Sequence, residues 1–133
     1  MRQVGDNVTV ERSIVIEDLE LFANLSLDRN KIHFDDEFAK TSYFGKPIAH
    51  GMIGAALISG ALTSLMGDGN VWLDAQIKFQ KPIFIGDHLK IYMEIQSITR
   101  RGVATLSFEI CNAHRELTII GSVTSLQTSK AHK

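Results

Sequence analysis

The chain has 133 residues, of which 44% are hydrophobic, a content that suits one compact domain over residues 1–133. Its 14 Lys and Arg nearly balance 15 Asp and Glu, and no basic cluster is interleaved with aromatic residues, which argues against nucleic-acid binding. Cys111 is the only cysteine and no signal-peptide pattern opens the chain, so we expect a reducing cytoplasm.

The first part of the chain predicts a strand, a helix and a polar loop. Residues 8–16 alternate between apolar and polar side chains and predict a strand, with room for a break near residues 12–13. A helical stripe follows over residues 19–25 and should end near Ser26. Residues 27–33 carry too much turn and charge character to remain helical, whereas the acidic residues 35–37 predict a short second helix.

Residues 49–66 predict a buried helix, because they contain no Asp, Glu, Lys or Arg and are apolar or small on every side. The segment is too short and too rich in Gly, Ser and Thr for a membrane span, so we expect no membrane partner. Gly54 and Gly60 would each cost about 1 kcal/mol of helix propensity, which indicates close approach of a sheet or a ligand. Residues 67–70 should end the helix.

The second half of the chain predicts four antiparallel strands. Apolar residues alternate over residues 71–79, 89–95, 103–110 and 117–123, with a break around residues 82–87 and a hairpin at residues 112–115. In the first of these strands the odd-numbered residues are expected to face the core. The pattern as a whole predicts the α+β class, a sheet curled around one helix. Its open edges predict a homodimer, and the polar end at residues 128–133 is expected to fray.

Asp28 and His33 are the strongest candidates for chemistry. A carboxylate beside an imidazole is a workable general acid–base pair at neutral pH, and an irregular loop could turn both side chains inward. The alternative is that Asp28 caps a turn while His33 packs or lies on the surface. Spacing alone favours this alternative.

Three separated motifs resemble one family. Residues 22–33, followed by Ala39, resemble the hydratase signature of the MaoC-like (R)-specific enoyl-CoA hydratases of the hot dog fold. Residues 47–52 (PIAHGM) and 79–87 (FQKPIFIGD) match later motifs of that family in the same order. The resemblance covers residues 4–126 and implies a hot dog fold, with an antiparallel sheet wrapped around a long central helix.

The resemblance also implies roles for individual residues. Asp28 and His33 would hold a water that adds across the double bond of a trans-2-enoyl thioester. The N–H of Gly51, at the head of the central helix, would contact the thioester carbonyl. Asn30 would hold the loop, and Ser59 would lie near the pantetheine or acyl channel.

Other residues are weaker candidates for the site. His50 is expected to be a cap or supporting residue at the helix start, with substrate contact as the alternative. Phe38 and Phe44 either line the acyl entrance or pack in the core. His88 and His114 are expected at the surface, and no metal-ligand spacing such as HExxH occurs, so we expect neither a metal nor a cofactor.

Two departures from the family pattern lie in the loop, where Leu27 and Lys31 replace the usual Gly and Pro. The central helix contains no Asp or Glu, whereas hot dog thioesterases and fatty-acid dehydratases commonly carry their acid there. The sequence thus favours a hydratase or dehydratase acting on an acyl-CoA or acyl carrier protein thioester. A hot dog thioesterase and a non-catalytic acyl-thioester-binding module remain the alternatives.

Overall fold

A computed structural model describes residues 2–129, so the predicted fraying of residues 130–133 lies outside it. The elements in chain order are β1 (Asn7–Ser13), α1 (Ile16–Ser26), α2 (Lys31–Phe34), α3 (Asp36–Lys40), α4 (Gly51–Met66), β2 (Asn70–Phe79), β3 (His88–Ile98), β4 (Val103–Cys111) and β5 (Leu117–Gln127). The strands form one antiparallel sheet in the order β1-β3-β4-β5-β2. The predicted α+β class is therefore confirmed.

The core lies between α4 and the concave face of the sheet. Alternate residues of β3 and β4 point to α4, and burying each Leu, Ile or Met among them stabilises the fold by about 1.5–3 kcal/mol. Gly54 permits the close approach, because a Cβ there would lie 2.2 Å from Ile119 Cδ1. The fully buried core residues on α4, β3 and β4 include Ile58, Ala61, Leu62, Leu89, Ile91, Met93, Ile95, Leu106 and Ile110.

The prediction that α4 is buried on every side is wrong for the single chain. The sheet covers only one face of the helix, and the opposite face, including Met52, Ser59 and Gly60, is exposed. Nothing lies within 4 Å of a Cβ built on Gly60. The absence of charged residues from this outer face therefore has no explanation in contacts within one chain.

The predicted core face of β2 is also wrong, except at Ile77. The register of β2 against β5 shifts between Trp72 and Asp74, so Leu73 is the extra residue of a β-bulge. Because a bulge reverses the alternation of side chains, Trp72 on one side of it and Ile77 on the other both pack against the core. Val71 and Leu73 are instead exposed at the edge of the sheet.

The N-terminal elements differ from the prediction in their boundaries. β1 ends at Ser13, and α1 begins at Ile16 because the Asp18 carboxylate accepts the Val15 N–H (2.9 Å) in the first turn. The predicted end of α1 near Ser26 is confirmed. Residues 31–33, predicted as loop, belong to the short helix α2, for which Asn30 Oδ1 accepts the Ile32 N–H (3.0 Å) as N-cap.

No helix within residues 2–129 is long and apolar enough to cross a membrane. At the C-terminal end of the described chain, Thr128 N–H donates to Gly69 O at 2.9 Å. That residue is therefore tied to the turn between α4 and β2.

Candidate active site

Asp28 lies in the loop that joins α1 to α2. The helix ends as Leu27 adopts a left-handed conformation, with φ 68°, and donates its N–H to the last turn. Asp28 N–H donates to Ser26 Oγ, and Asn30 N–H donates to Asp28 Oδ1, each at 3.1 Å. These bonds hold the carboxylate through one oxygen and leave Oδ2 on the side that faces His33.

His33 faces Asp28 from the third residue of α2. Its Nδ1–H donates to the backbone carbonyl of Ile48 at 2.7 Å; because a carbonyl only accepts, this bond leaves Nε2 without a proton in the neutral ring. His33 Nε2 lies 4.0 Å from Asp28 Oδ2. That distance is too long for a hydrogen bond, but one water oxygen about 2.8 Å from each atom would span it.

The two members of the pair differ in exposure. The His33 side chain is 8% exposed, whereas the Asp28 side chain is 49% exposed. Burial lowers the pKa of His33, and the hydrogen bond to Ile48 raises it. Two smaller effects follow: the neighbouring His50 lowers the pKa of His33, and the Asp28 carboxylate raises it. The net direction is downward, so His33 is neutral at pH 7, with a lone pair directed to the gap.

His50, the residue before α4, lies behind His33. The two imidazole rings are stacked, with centroids 3.7 Å apart and planes 25° apart. His50 Nε2–H donates to the backbone carbonyl of Asp28 at 2.9 Å, while Nδ1 is buried without a partner. The expected cap position is confirmed, but the side chain makes no capping bond to α4.

Asp28, His33 and His50 each offer a ligand atom within 4.8 Å of the others, close enough for a divalent cation to be considered. Each imidazole already commits one nitrogen to a backbone carbonyl, so the donors that remain are one nitrogen of each ring and the Asp28 carboxylate. The expectation of no metal stays a prediction.

Gly51 begins α4 directly after His50, so the stack places His33 at the N-terminus of this helix. The first-turn amides of a helix have no acceptor within it and present a partial positive charge. A Cβ on Gly51 would lie 2.9 Å from the Phe79 ring, so the absent side chain leaves the helix start accessible beside that ring. An open cleft of about 440 Å³ adjoins it, lined mainly by apolar residues, among them Phe44, Gly51, Met52, Phe79 and Ile83.

The sequence profile described as "MaoC like domain" matches residues 3–116. The chain belongs to the MaoC-like family. An (R)-specific enoyl-CoA hydratase of Aeromonas caviae is 33% identical to this MaoC-like chain over 121 residues, 90% of each protein. A 3-hydroxybutyryl-CoA dehydratase of Methylorubrum extorquens is 36% identical over 97 residues, 72% of this chain and 62% of that protein.

Solved structures agree with the family assignment. The unliganded R-hydratase PhaJ1 of Pseudomonas aeruginosa superposes with a TM-score of 0.90 at 31% identity, over 97% of this chain and 84% of that one. The predicted hot dog fold is confirmed by this likeness and by the sheet and helix described above.

The other predicted residues of this MaoC-like chain are scattered around the Asp28–His33 pair. Asn30 caps α2, and Phe44 lines the cleft beside Gly51. Phe38 is exposed on α3 and Ser59 lies on the outer face of α4, and neither lines that cleft. Their contacts with substrate stay predictions.

Sequence reasoning missed two contacts of the site: the Ile48 carbonyl that sets the His33 tautomer, and the His50 ring behind it. A backbone acceptor carries no sequence signal. The dipeptide His50-Gly51 at the start of an uncharged helix was the available signal for the second contact. This dipeptide indicated that His50 lies at the start of α4, but not the direction in which its ring points.

Proposed function

We propose that this MaoC-like protein is an (R)-specific enoyl-CoA hydratase, which adds water to trans-2-enoyl thioesters and catalyses the reverse dehydration. The observation that carries the proposal is the 4.0 Å gap between His33 Nε2 and Asp28 Oδ2 at the start of α4. Two acceptors at this separation suit one water molecule that donates a hydrogen to each. The hydratase and dehydratase names of the relatives agree with this chemistry.

The pair orients and activates the water. With Asp28 ionised and His33 neutral, both hydrogens of the water point into the protein and an oxygen lone pair points outward to C3 of the enoyl group. Asp28 acts as general base and takes one proton from the water, and His33, which orients the water, receives this proton on Nε2 and delivers it to C2. One proton leaves the water for the pair and one leaves the pair for C2, so the pair returns to its initial state and no cofactor is consumed.

Gly51 stabilises the charge that develops on the substrate. As the C3–O bond forms, electrons move to the thioester oxygen, where an enolate-like charge accumulates. The Gly51 N–H and the N-terminus of α4 favour negative charge at that oxygen. The apolar cleft that includes Phe44 and Phe79 would hold the acyl or pantetheine part of the substrate.

The experiment follows the enoyl absorbance of trans-2-enoyl-CoA substrates of graded chain length, beginning with crotonyl-CoA, and determines the chirality of the product. Loss of enoyl absorbance with formation of the (R)-3-hydroxyacyl thioester supports the proposal. Release of free thiol without hydration would instead indicate a thioesterase. Tight binding without either reaction would indicate an acyl-thioester-binding module. Repeating the assay with acyl carrier protein thioesters decides between the two carriers.

We further propose a homodimer formed through β2. Of the two edge strands, β1 exposes polar residues such as Thr9 and Glu11, whereas β2 exposes the apolar residues Val71, Leu73 and Phe79. A second copy paired along β2 would bury these side chains and the open edge together. The cytoplasmic location expected from the lone cysteine stays a prediction.

The dimer is tested by light scattering on the wild type and on Leu73→Lys, with Thr9→Lys on the opposite edge as the matched control. We expect a wild-type mass of two chains, loss of the dimer in Leu73→Lys and no change in the control. A wild-type mass of one chain would contradict the proposal.

A further inference from the structure

His50 is a buried polar residue whose placement is not explained by helix capping. It occupies the N-cap position of α4, where Ser, Thr, Asp or Asn usually bonds to the first turn, yet its side chain makes no such bond. Only 2% of the residue is exposed, and Nδ1 has no hydrogen-bond partner. A buried, unpaired nitrogen costs free energy, so a residue of this kind needs a compensating function.

The contacts of His50 converge on the Asp28–His33 pair. Its single side-chain hydrogen bond crosses 22 residues of sequence to the backbone carbonyl of Asp28. One face of its ring stacks on His33 with centroids 3.7 Å apart. The rings of Phe22 and Phe34 enclose the rest, with centroids 4.8 and 5.7 Å from that of His50.

We propose that His50 is a positioning residue that sets the gap between Asp28 and His33. Its Nε2–H fixes the backbone that carries the carboxylate, and its ring fixes the plane of the facing imidazole. Because His50 is joined directly to Gly51, the same residue aligns the pair with the N-terminus of α4. This inference rests on the proposed hydratase function, since the gap matters only if it holds the reacting water.

The stack also contributes to the electrostatics of His33. The groups that face His33 are the His50 ring, the edge of Phe34, the Ile48 carbonyl and the Asp28 carboxylate. Removing the His50 ring would admit water to the inner face of His33 and reduce the burial that lowers its pKa. Positioning and protonation state are therefore coupled, and they can be separated by mutation.

Three variants separate the two contacts. His50→Phe keeps a ring against His33 but removes the donor to Asp28 O, His50→Gln keeps a donor of similar reach but removes the ring, and His50→Ala removes both. We expect kcat on crotonyl-CoA to fall about 10- to 100-fold in the Phe and Ala variants, with KM changed much less, because small displacements of reacting groups have effects of this size. The Gln variant should recover part of this loss.

The pH profile distinguishes positioning from simple packing. In His50→Gln we expect the acid limb of kcat/KM to move to higher pH, because His33 regains solvent. In His50→Phe the limb should stay near its wild-type position while kcat falls. His114→Gln, on the exposed hairpin between β4 and β5, is the matched control and should change neither quantity.

Amide hydrogen exchange tests the inference independently of activity. The Asn30 N–H donates to Asp28 Oδ1, so it should exchange faster in folded His50→Phe and His50→Ala than in the wild type or His50→Gln. Unchanged exchange, or wild-type kcat and pH profile in all three variants, would overturn the role of His50. If the wild type hydrates no enoyl thioester, the proposed function fails, and Asn30 exchange still decides whether His50 holds the loop.

Discussion

Two regions of the molecule each combine a histidine with a carboxylate, and they differ in how the groups meet. Where the loop after α1 meets α2, Asp28 Oδ2 lies 4.0 Å from His33 Nε2, and the imidazole is buried. On the outer face of β1 and β3, His88 Nε2 contacts Glu11 Oε1 at 2.8 Å, and His88 Nδ1 contacts Ser13 Oγ at 2.9 Å. All three surface residues are exposed.

Hydrogen-bond partners alone therefore do not define a catalytic site. The Ser13–His88–Glu11 cluster has the hydrogen-bond order of a nucleophile, a base and an orienting acid, but both ring nitrogens of His88 are already occupied. It lies on two regularly paired strands, and the residues that line the cleft beside Gly51 include neither this cluster nor the Asp28–His33 pair. The Asp28–His33 pair instead leaves one nitrogen and one oxygen unengaged, beside a helix N-terminus.

The largest expected effect comes from neutralising the carboxylate that faces His33. Asp28→Asn keeps the size of the side chain but removes the proposed general base, so hydration of crotonyl-CoA should fall by about 10²- to 10⁴-fold. The matched control is Glu11→Gln, which neutralises the surface carboxylate and should leave the rate unchanged. Both rates are measured from the loss of enoyl absorbance.

Equal rates in Asp28→Asn and the wild type would show that the gap is not the reacting site. A comparable loss in Glu11→Gln would remove the distinction between the two clusters. Because neither carboxylate is buried, both variants should fold like the wild type. Thermal unfolding of each variant checks this.

The second prediction concerns the acid side of the activity profile. Burial lowers the pKa of His33, so the ring stays neutral below its ordinary pKa of 6.5 and the acid limb of kcat/KM should lie below that pH. The lowered pKa of His33 also makes the folded protein less stable in acid. Between the unfolded and folded pKa values the unfolded chain binds more protons at this residue, so stability decreases as pH falls through that range.

NMR titration of the histidine ring protons checks this directly, with His33→Gln to assign the resonance. The variant should also lose the part of the acid destabilisation that His33 causes. A His33 titration midpoint at or above 6.5 would contradict the prediction.

The alternating patterns of β3, β4 and β5 and the uncharged run of α4 were sufficient to predict the sheet, the helix and the α+β class. They could not predict the bulge at Leu73, because one extra residue is invisible to periodicity unless the pairing partner is known. The exposed outer face of α4 was missed for a related reason. Hydrophobicity indicates that a surface is covered, but not whether the cover comes from the same chain.

For the site, residue type and the resemblance to the hydratase signature identified Asp28 and His33 as candidates, although spacing alone favoured the alternative. The structure places His33 Nε2 4.0 Å from Asp28 Oδ2. The sequence placed His33 in a loop, because the cap from Asn30 that starts α2 depends on side-chain direction. The stack of His50 on His33 joins residues 17 positions apart from two elements and has no local pattern. Long-range contacts of this kind required the folded structure.

A smaller effect is expected from strain in the loop, which the surface cluster on paired strands lacks. Leu27 holds φ 68° and is 83% exposed, so its side chain gains little burial in return for the left-handed backbone. Leu27→Gly should therefore stabilise the protein by about 0.5–1 kcal/mol. Arg115→Gly, at φ 62° in the hairpin between β4 and β5, is the matched control for strain remote from the site. Chemical denaturation measures both, and a destabilised Leu27→Gly would show that the loop gains more from leucine than from relief of strain.

The smallest effect is expected from breaking the surface cluster with His88→Gln. The hydrogen bond from His88 lowers the pKa of Glu11, so its stabilisation is present above the unfolded pKa of Glu11 and is lost as pH falls through the lowered value. Because solvent screens these exposed groups, the melting temperature at pH 7 should change by no more than about 2 °C. Hydration of crotonyl-CoA should not change. Thermal unfolding at pH 7 and pH 3 should show that the difference in melting temperature between variant and wild type disappears in acid. A loss of hydration activity in His88→Gln would instead mean that the two clusters are coupled through β1 and β3.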